Sequence, residues 1–252
     1  MKKLASGGRL CWVLAALLLI GFSAYAQMPG AGGPAGMSSA LTKLFGDVNA
    51  FTAKAQVQVL DTSEKEIASM PMDFSLLDKK IRVEIDMTQA KNSSMPPGAA
   101  ASLKQMGMAQ VISLVRPDKK LVYVIYPDQK VMMTMPLPEE DAEAAGKNAK
   151  TARTPLGKET IDGHPCVKNK VVITPDKGPA VEATTWNATD LKDFPVQIQT
   201  KEQENTSFVR FKQVQFKKPD ADLFEPPNGY TQYSDPQELM QGVMKKVMEG
   251  KK

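Results

Sequence analysis

Period-two alternation is the feature that most restricts this chain: from Phe51 onward, apolar and polar residues trade places along one short segment after another. Phe51, Ala53, Ala55, Val57 and Val59 alternate with Thr52, Lys54, Gln56 and Gln58. Successive side chains of an extended strand point to opposite faces, so such a segment buries one face and wets the other. Met70, Met72, Phe74 and Leu76 repeat the pattern, and Ile81, Val83, Ile85 and Met87 repeat it opposite Arg82, Glu84 and Asp86. A three-stranded meander is expected. Three further strands follow over 110–116, 120–126 and 130–135, turned by Pro117-Asp118 and Pro127-Asp128. Five more are expected over 157–162, 166–174, 180–187, 194–201 and 207–217. In the last of these Val209 and Phe211 are odd but Val214 and Phe216 even, which predicts a bulge near Lys212-Gln213.

Two of these strands, 111–115 and 121–126, are apolar on both faces, and such strands need cover on both sides of their sheet. Helices can provide it. Leu41, Leu44, Phe45 and Val48 recur at helical spacing behind a Ser38 or Ser39 cap. Between the third and fourth strands, Pro96-Pro97-Gly98 opens a run of good helix formers through Met108. At the C-terminus Asp235, Pro236 and Glu238 have the spacing of a capping box. They precede an apolar stripe of Leu239, Met240, Val243, Met244, Val247 and Met248. A stripe beside Lys245 and Lys246 suits either packing or a partner; packing is the more economical reading, because a helix of this length usually gains its stability from a docked face. The acidic run from Glu139 to Glu143 and the basic one from Lys147 to Arg153 read as a solvated connection.

The first residues bear on compartment. Lys2, Lys3 and Arg9 precede an apolar run from Leu10 to Phe22, too short for a membrane span, and Ala24-Tyr25-Ala26 is a small-x-small cleavage signal. Residues 1–26 therefore read as a signal peptide cut between Ala26 and Gln27. Residues 27–37 read as a Gly/Pro tether, 38–232 as one β domain, and 233–252 as the C-terminal helix. The expected location is the periplasm, without a lipid anchor, since no Cys follows the apolar run. Cleavage takes the net charge from +4 to +1 by removing three cations, which leaves no basic stripe for nucleic acid. It also leaves Cys166 alone, so a disulfide framework is excluded and the fold must rest on its apolar core.

Four stretches carry a resemblance. They are Arg116-Pro117-Asp118-Lys119-Lys120-Leu121-Val122-Tyr123, residues 157–166 (GKETIDGHPC), Asp190-Leu191-Lys192-Asp193-Phe194-Pro195, and the exit from Leu223 to Tyr230. With the strand and helix order, they make the chain resemble the half-barrel carriers of the LolA/LolB type, and more closely an uncharacterised group of exported bacterial proteins allied to that fold. The resemblance implies a mainly β fold, an incomplete antiparallel barrel of about eleven strands with covering helices, curled around an apolar cavity able to hold an acyl chain. The expected ligand-binding residues are Val57, Val59, Met72, Phe74, Val83 and Ile85. The expected partners are a hydrophobic small molecule or lipid, or another envelope protein.

No catalytic signature accompanies this pattern. His164, the single histidine, lies in the turn sequence Asp162-Gly163-His164-Pro165-Cys166 with no evident orienting acid, so no enzyme activity and no cofactor are expected. The 15 methionines open a second reading. Met70-Pro71-Met72, Met106-Gly107-Met108 and Met133-Thr134-Met135 have thioether spacings that suit Cu(I), with His164 and Cys166 as further donors. Against this, i and i+2 on any strand share a face, so a Met-rich apolar strand yields the motif without a metal. Methionine is also the adaptable lining of promiscuous hydrophobic sites. No metal ligand is assigned; a copper-binding envelope protein and a protein-interaction module remain the alternatives.

Overall fold

The computed structural model describes residues 39–249 apart from 93–95, 145–147, 177–178 and 203. The leader, its Ala26/Gln27 junction and the tether lie outside the described residues. The strands are β1 (Ala50–Leu60), β2 (Glu66–Leu77), β3 (Lys80–Asp86), β4 (Lys91–Asn92), β5 (Gln110–Arg116), β6 (Leu121–Tyr126) and β7 (Val131–Pro136). After them come β8 (Lys150–Ile161), β9 (His164–Thr174), β10 (Val181–Ala188), β11 (Phe194–Glu202), β12 (Asn205–Gln215) and β13 (Thr231–Tyr233). Three α-helices are present among the described residues: α1 (Ala99–Gln105), α2 (Glu139–Ala144) and α3 (Pro236–Glu249).

All thirteen strands form one sheet in the order β13-β7-β6-β5-β3-β2-β1-β12-β11-β10-β9-β8, with β4 on β2. Every pairing is antiparallel except β13 on β7. The two ends, β13 and β8, are not paired to each other, so the sheet is an incomplete barrel. The count exceeds eleven through β4 and β13, two- and three-residue strands too short to show a period.

The sheet curls because one face feeds one core. Antiparallel partners share a face, and Ala53↔Phe74↔Val83 and Ala55↔Met72↔Ile85 stand in register across β1, β2 and β3. The same core takes Val111 and Val115 from β5, Val122 and Val124 from β6, Val171 and Ile173 from β9, and Val209 and Phe211 from β12. The expected bulge is present: Thr52 pairs with Gln215 but Lys54 with Lys212, and Gln213 has φ +52°.

One end of this core is filled by phenylalanine. A 3₁₀ helix, Ser39–Phe45, ends at Gly46 (φ +59°) and drives Phe45 among Phe51, Phe74, Phe194 and Phe211 at centroid distances of 4.9–5.9 Å. The helix stops there, short of Val48, because glycine readily takes the left-handed conformation that ends it.

The double-sided strands are covered by the chain's own exit. Leu114, Tyr123, Ile125 and Met132 form a second cluster on the outer face, against which Tyr230 packs. Arg116, 3 % exposed, fixes the exit there. Its Nη1 donates to the Phe224 carbonyl and to Glu225 (both 2.7 Å), while Nε and Nη2 grip Asp118 at 2.9 and 2.7 Å. Arg82 Nη1 donates to the Leu223 carbonyl at 2.9 Å. Both faces of β5 and β6 are thus satisfied internally, so their apolarity is not in itself a sign of a ligand.

At the C-terminus Asp235 Oδ1 accepts from the backbone N–H of Gln237 (2.7 Å) and Glu238 (3.1 Å), the expected cap. The helix begins at Pro236, since Tyr233 belongs to β13. Leu239 and Val243 are fully buried in the main core and Met240 and Val247 partly so, while Met248 is exposed, so α3 is docked by the first part of its stripe. No helix among the described residues is long and apolar enough to cross a membrane.

Candidate ligand-binding face and its mouth

The inner face is segregated along its strands. On β2 the inward residues run Met70, Met72, Phe74, Leu76, from a methionine end to the phenylalanine end. Met70, Met72, Met87, Met108 and Met133 are buried in the main core, and Met106, Met135 and Met240 are partly buried against it. Eight methionines from β2, the flanks of β3 and β5, β7, α1's end and α3 thereby meet one core. Unbranched and polarizable, they repack around an added group at little cost compared with branched side chains.

Val57, Val59, Met72, Phe74, Val83 and Ile85 all lie on this inner face. Val57 sits opposite Met70 and Val59 opposite Ala68. Met72, Phe74, Val83 and Ile85 are at most 5 % exposed, Val59 is buried, and Val57 is half-buried. The face they form is packed in this structure.

Next to Val59 the packing stops. An open cleft of about 480 Å³ lies between β2, β4 and the start of α1. Ile67, Ala68, Ala90, Pro96, Ala99 and Ala100 form its apolar walls and Glu66, Lys91 and Asn92 its polar ones. It exists because its walls are small: alanine, proline and glycine leave the volume that longer side chains would fill. Ala68 lines the cleft, stands opposite the buried Val59, and lies two residues from Met70 of the main core. The other wall is α1, which has no fully buried residue; Leu103 and Met106 only half-cover the core. A helix held so lightly is inexpensive to displace.

One turn ties α1 to α3. Gln129 Nε2 donates to the Met106 carbonyl at 2.6 Å, and the Gln129 carbonyl accepts from Lys246 Nζ at 3.1 Å. Gly107 suits this crossing because its backbone is left-handed (φ +64°), and a Cβ there would also press on the end of the Gln129 side chain.

The cleft residues other than β2's carry no periodic signal, and sequence reasoning missed them; the run Ala99-Ala100-Ala101 was the available hint. It also missed Asp190, whose Oδ2 lies 2.8 Å from His164 Nδ1 and orients that ring. Among the described residues, this is the hydrogen bond made by the His164 side chain. Cys166 Sγ donates to the His164 backbone carbonyl at 3.3 Å, and burial pushes its thiol up. His164 and Cys166 are thus committed on β9, while the Met-x-Met pairs lie in the core.

Residues 56–194 match the family model described as domain of unknown function DUF4412. The chain belongs to this family. Among curated proteins none matches the sequence. Solved structures similar to this DUF4412 chain include the LolA superfamily protein NE2245 from Nitrosomonas europaea: 10 % identity, TM-score 0.39, 75 % of this chain and 96 % of that one covered. Lipoprotein LppX from Mycobacterium tuberculosis is 14 % identical, with TM-score 0.37 and coverages of 85 % and 98 %. The Pseudomonas aeruginosa MucA/MucB complex is 11 % identical, with TM-score 0.35; the match covers 75 % of this chain and 60 % of that one. One of these three structures is described as a LolA superfamily protein; the incomplete-barrel architecture rests on this chain's own strand order.

Proposed function

We propose that this DUF4412 protein is a non-catalytic binding or carrier protein for a hydrophobic, acyl-chain ligand in the periplasm, acting after its leader is cut between Ala26 and Gln27. The observation that carries the reading is the methionine-rich inner face of β2 running from Met70 to within two residues of Ala68, in an open cleft walled by a lightly held helix. The chain slides past Ala68 onto Val57, Val59, Met72 and Ile85, and α1 moves outward to make room. Phe74 and Val83 bound the far end, where the phenylalanine cluster stops it. Burial of each methylene contributes about 0.8 kcal/mol, so a ten-carbon chain gains about 8 kcal/mol before the cost of association and of moving α1. The test is mass spectrometry of organic extracts from protein purified from its native envelope. Stoichiometric lipid is expected; protein that emerges empty and takes up no lipid on incubation would refute the reading.

A further inference from the structure

The cleft's charges carry the reading one step further, to the class of headgroup, and this step rests on the acyl-chain reading above. Elsewhere on the sheet, opposite charges on adjacent strands close on one another: Lys54 with Asp73 (2.5 Å), Lys168 with Glu159 (2.8 Å) and Lys170 with Glu182 (2.9 Å). At the cleft they do not. Among the described residues, Lys91 makes no ion pair, and Glu66 accepts only from the neutral Gln58 Nε2, at 2.6 Å. Yet both line the same cavity from adjacent strands, with Lys91 opposite Ser69 on β2 and Glu66 three residues before Ser69. One cleft thus presents a cation and an anion that leave each other uncompensated, above an apolar floor at Ala68.

We infer that the cleft takes the headgroup of a zwitterionic phospholipid of the ethanolamine type, its ammonium against Glu66 and its phosphate against Lys91, with the acyl chains turned inward past Ala68. A singly anionic lipid satisfies Lys91 but brings nothing to Glu66. A fatty acid does the same with a smaller headgroup.

The full chain is loaded with the apolar fluorophore N-phenyl-1-naphthylamine, which is displaced with short-chain phosphatidylethanolamine or phosphatidylglycerol. The unaltered protein should prefer the ethanolamine lipid by a factor of about two to five, the range set by one exposed ion pair. Glu66→Lys should invert the preference, Lys91→Glu should weaken both lipids, and the double swap should restore the ethanolamine preference with the headgroup reversed. Circular dichroism checks that the sheet is retained in each variant. Equal displacement by the two lipids, or a preference that neither single swap alters, overturns the inference. A protein that binds neither fluorophore nor lipid fails the acyl-chain reading instead, so the two failures are distinct.

Discussion

Replacing Arg116 by methionine tests whether the exit segment is held on the outer face by one buried cation. The substitution keeps an apolar stem of similar length and deletes four hydrogen bonds: two to Asp118, one to the Phe224 carbonyl and one to Glu225. The two carboxylates are nearly half exposed and regain water, so little of their share survives as a net loss. The Phe224 carbonyl is different, because that residue is fully buried; leaving it without a donor costs about 1–3 kcal/mol. Freeing the cover over Leu114, Tyr123 and Ile125 adds to this, for an expected loss of about 3 kcal/mol. Urea unfolding at pH 7 measures it. The same variant has a pH signature. Hydrogen bonds from Arg116 hold the Asp118 and Glu225 carboxyls below their usual range. A depressed folded value contributes stability above the unfolded pKa, near 4, and loses it as pH falls through the depressed value. The gap between the two proteins should therefore narrow below about pH 4. A loss under 1 kcal/mol with an unchanged acid limb would show that the apolar cluster alone holds the segment.

Three further outcomes are expected. Ala100→Trp, in the cleft wall, should slow uptake of an apolar fluorophore strongly while changing stability by no more than about 0.5 kcal/mol; unaltered uptake would place the mouth elsewhere. Gly242→Ala drives a Cβ into the Tyr233 hydroxyl and to 2.7 Å from its ring carbon. It should cost about 1–3 kcal/mol and raise hydrogen exchange across α3, with relief by Tyr233→Ala; exchange that stays at the parent level would mean the contact is soft. Cys166, buried and with its thiol pushed up, should resist iodoacetamide at pH 8 in the native protein and react readily in urea. Equal rates in both conditions would contradict its burial.

Where a strand has an inside and an outside, the sequence is readable. Val57 through Ile85 declare their common face by alternation, and the change of parity after Phe211 declares the bulge at Gln213. β8 shows the opposite case. It begins at Lys150, seven residues before the expected start, because it is an edge strand exposed along nearly its whole length. With no inner side, Thr151, Ala152 and Arg153 have no reason to alternate. Cover is the other illegible quantity. Two-sided apolarity in β5 and β6 shows that something must lie over them, but that it is the exit segment depends on Arg116 meeting Phe224, 108 residues later. The cleft is hidden for a related reason: a void is made by residues being small, and Ala68, Ala90 and Ala99 are also ordinary in packed strands and helices.

The position of β1 sets the order in which the molecule can assemble. It is the first strand made, yet it lies mid-sheet, between β2 and β12. One side can zip at once, since β2 and β3 follow in a meander. The other side waits for residues 205–215, and the strands from β8 to β11 can attach to β1 only through β12. Phe45 and Phe51 can meet Phe74 early, but their contacts with Phe194 and Phe211 wait for the last strands. Contacts closed over such long loops make folding slow. A chain of this topology can therefore complete its sheet only when nearly its whole length is available.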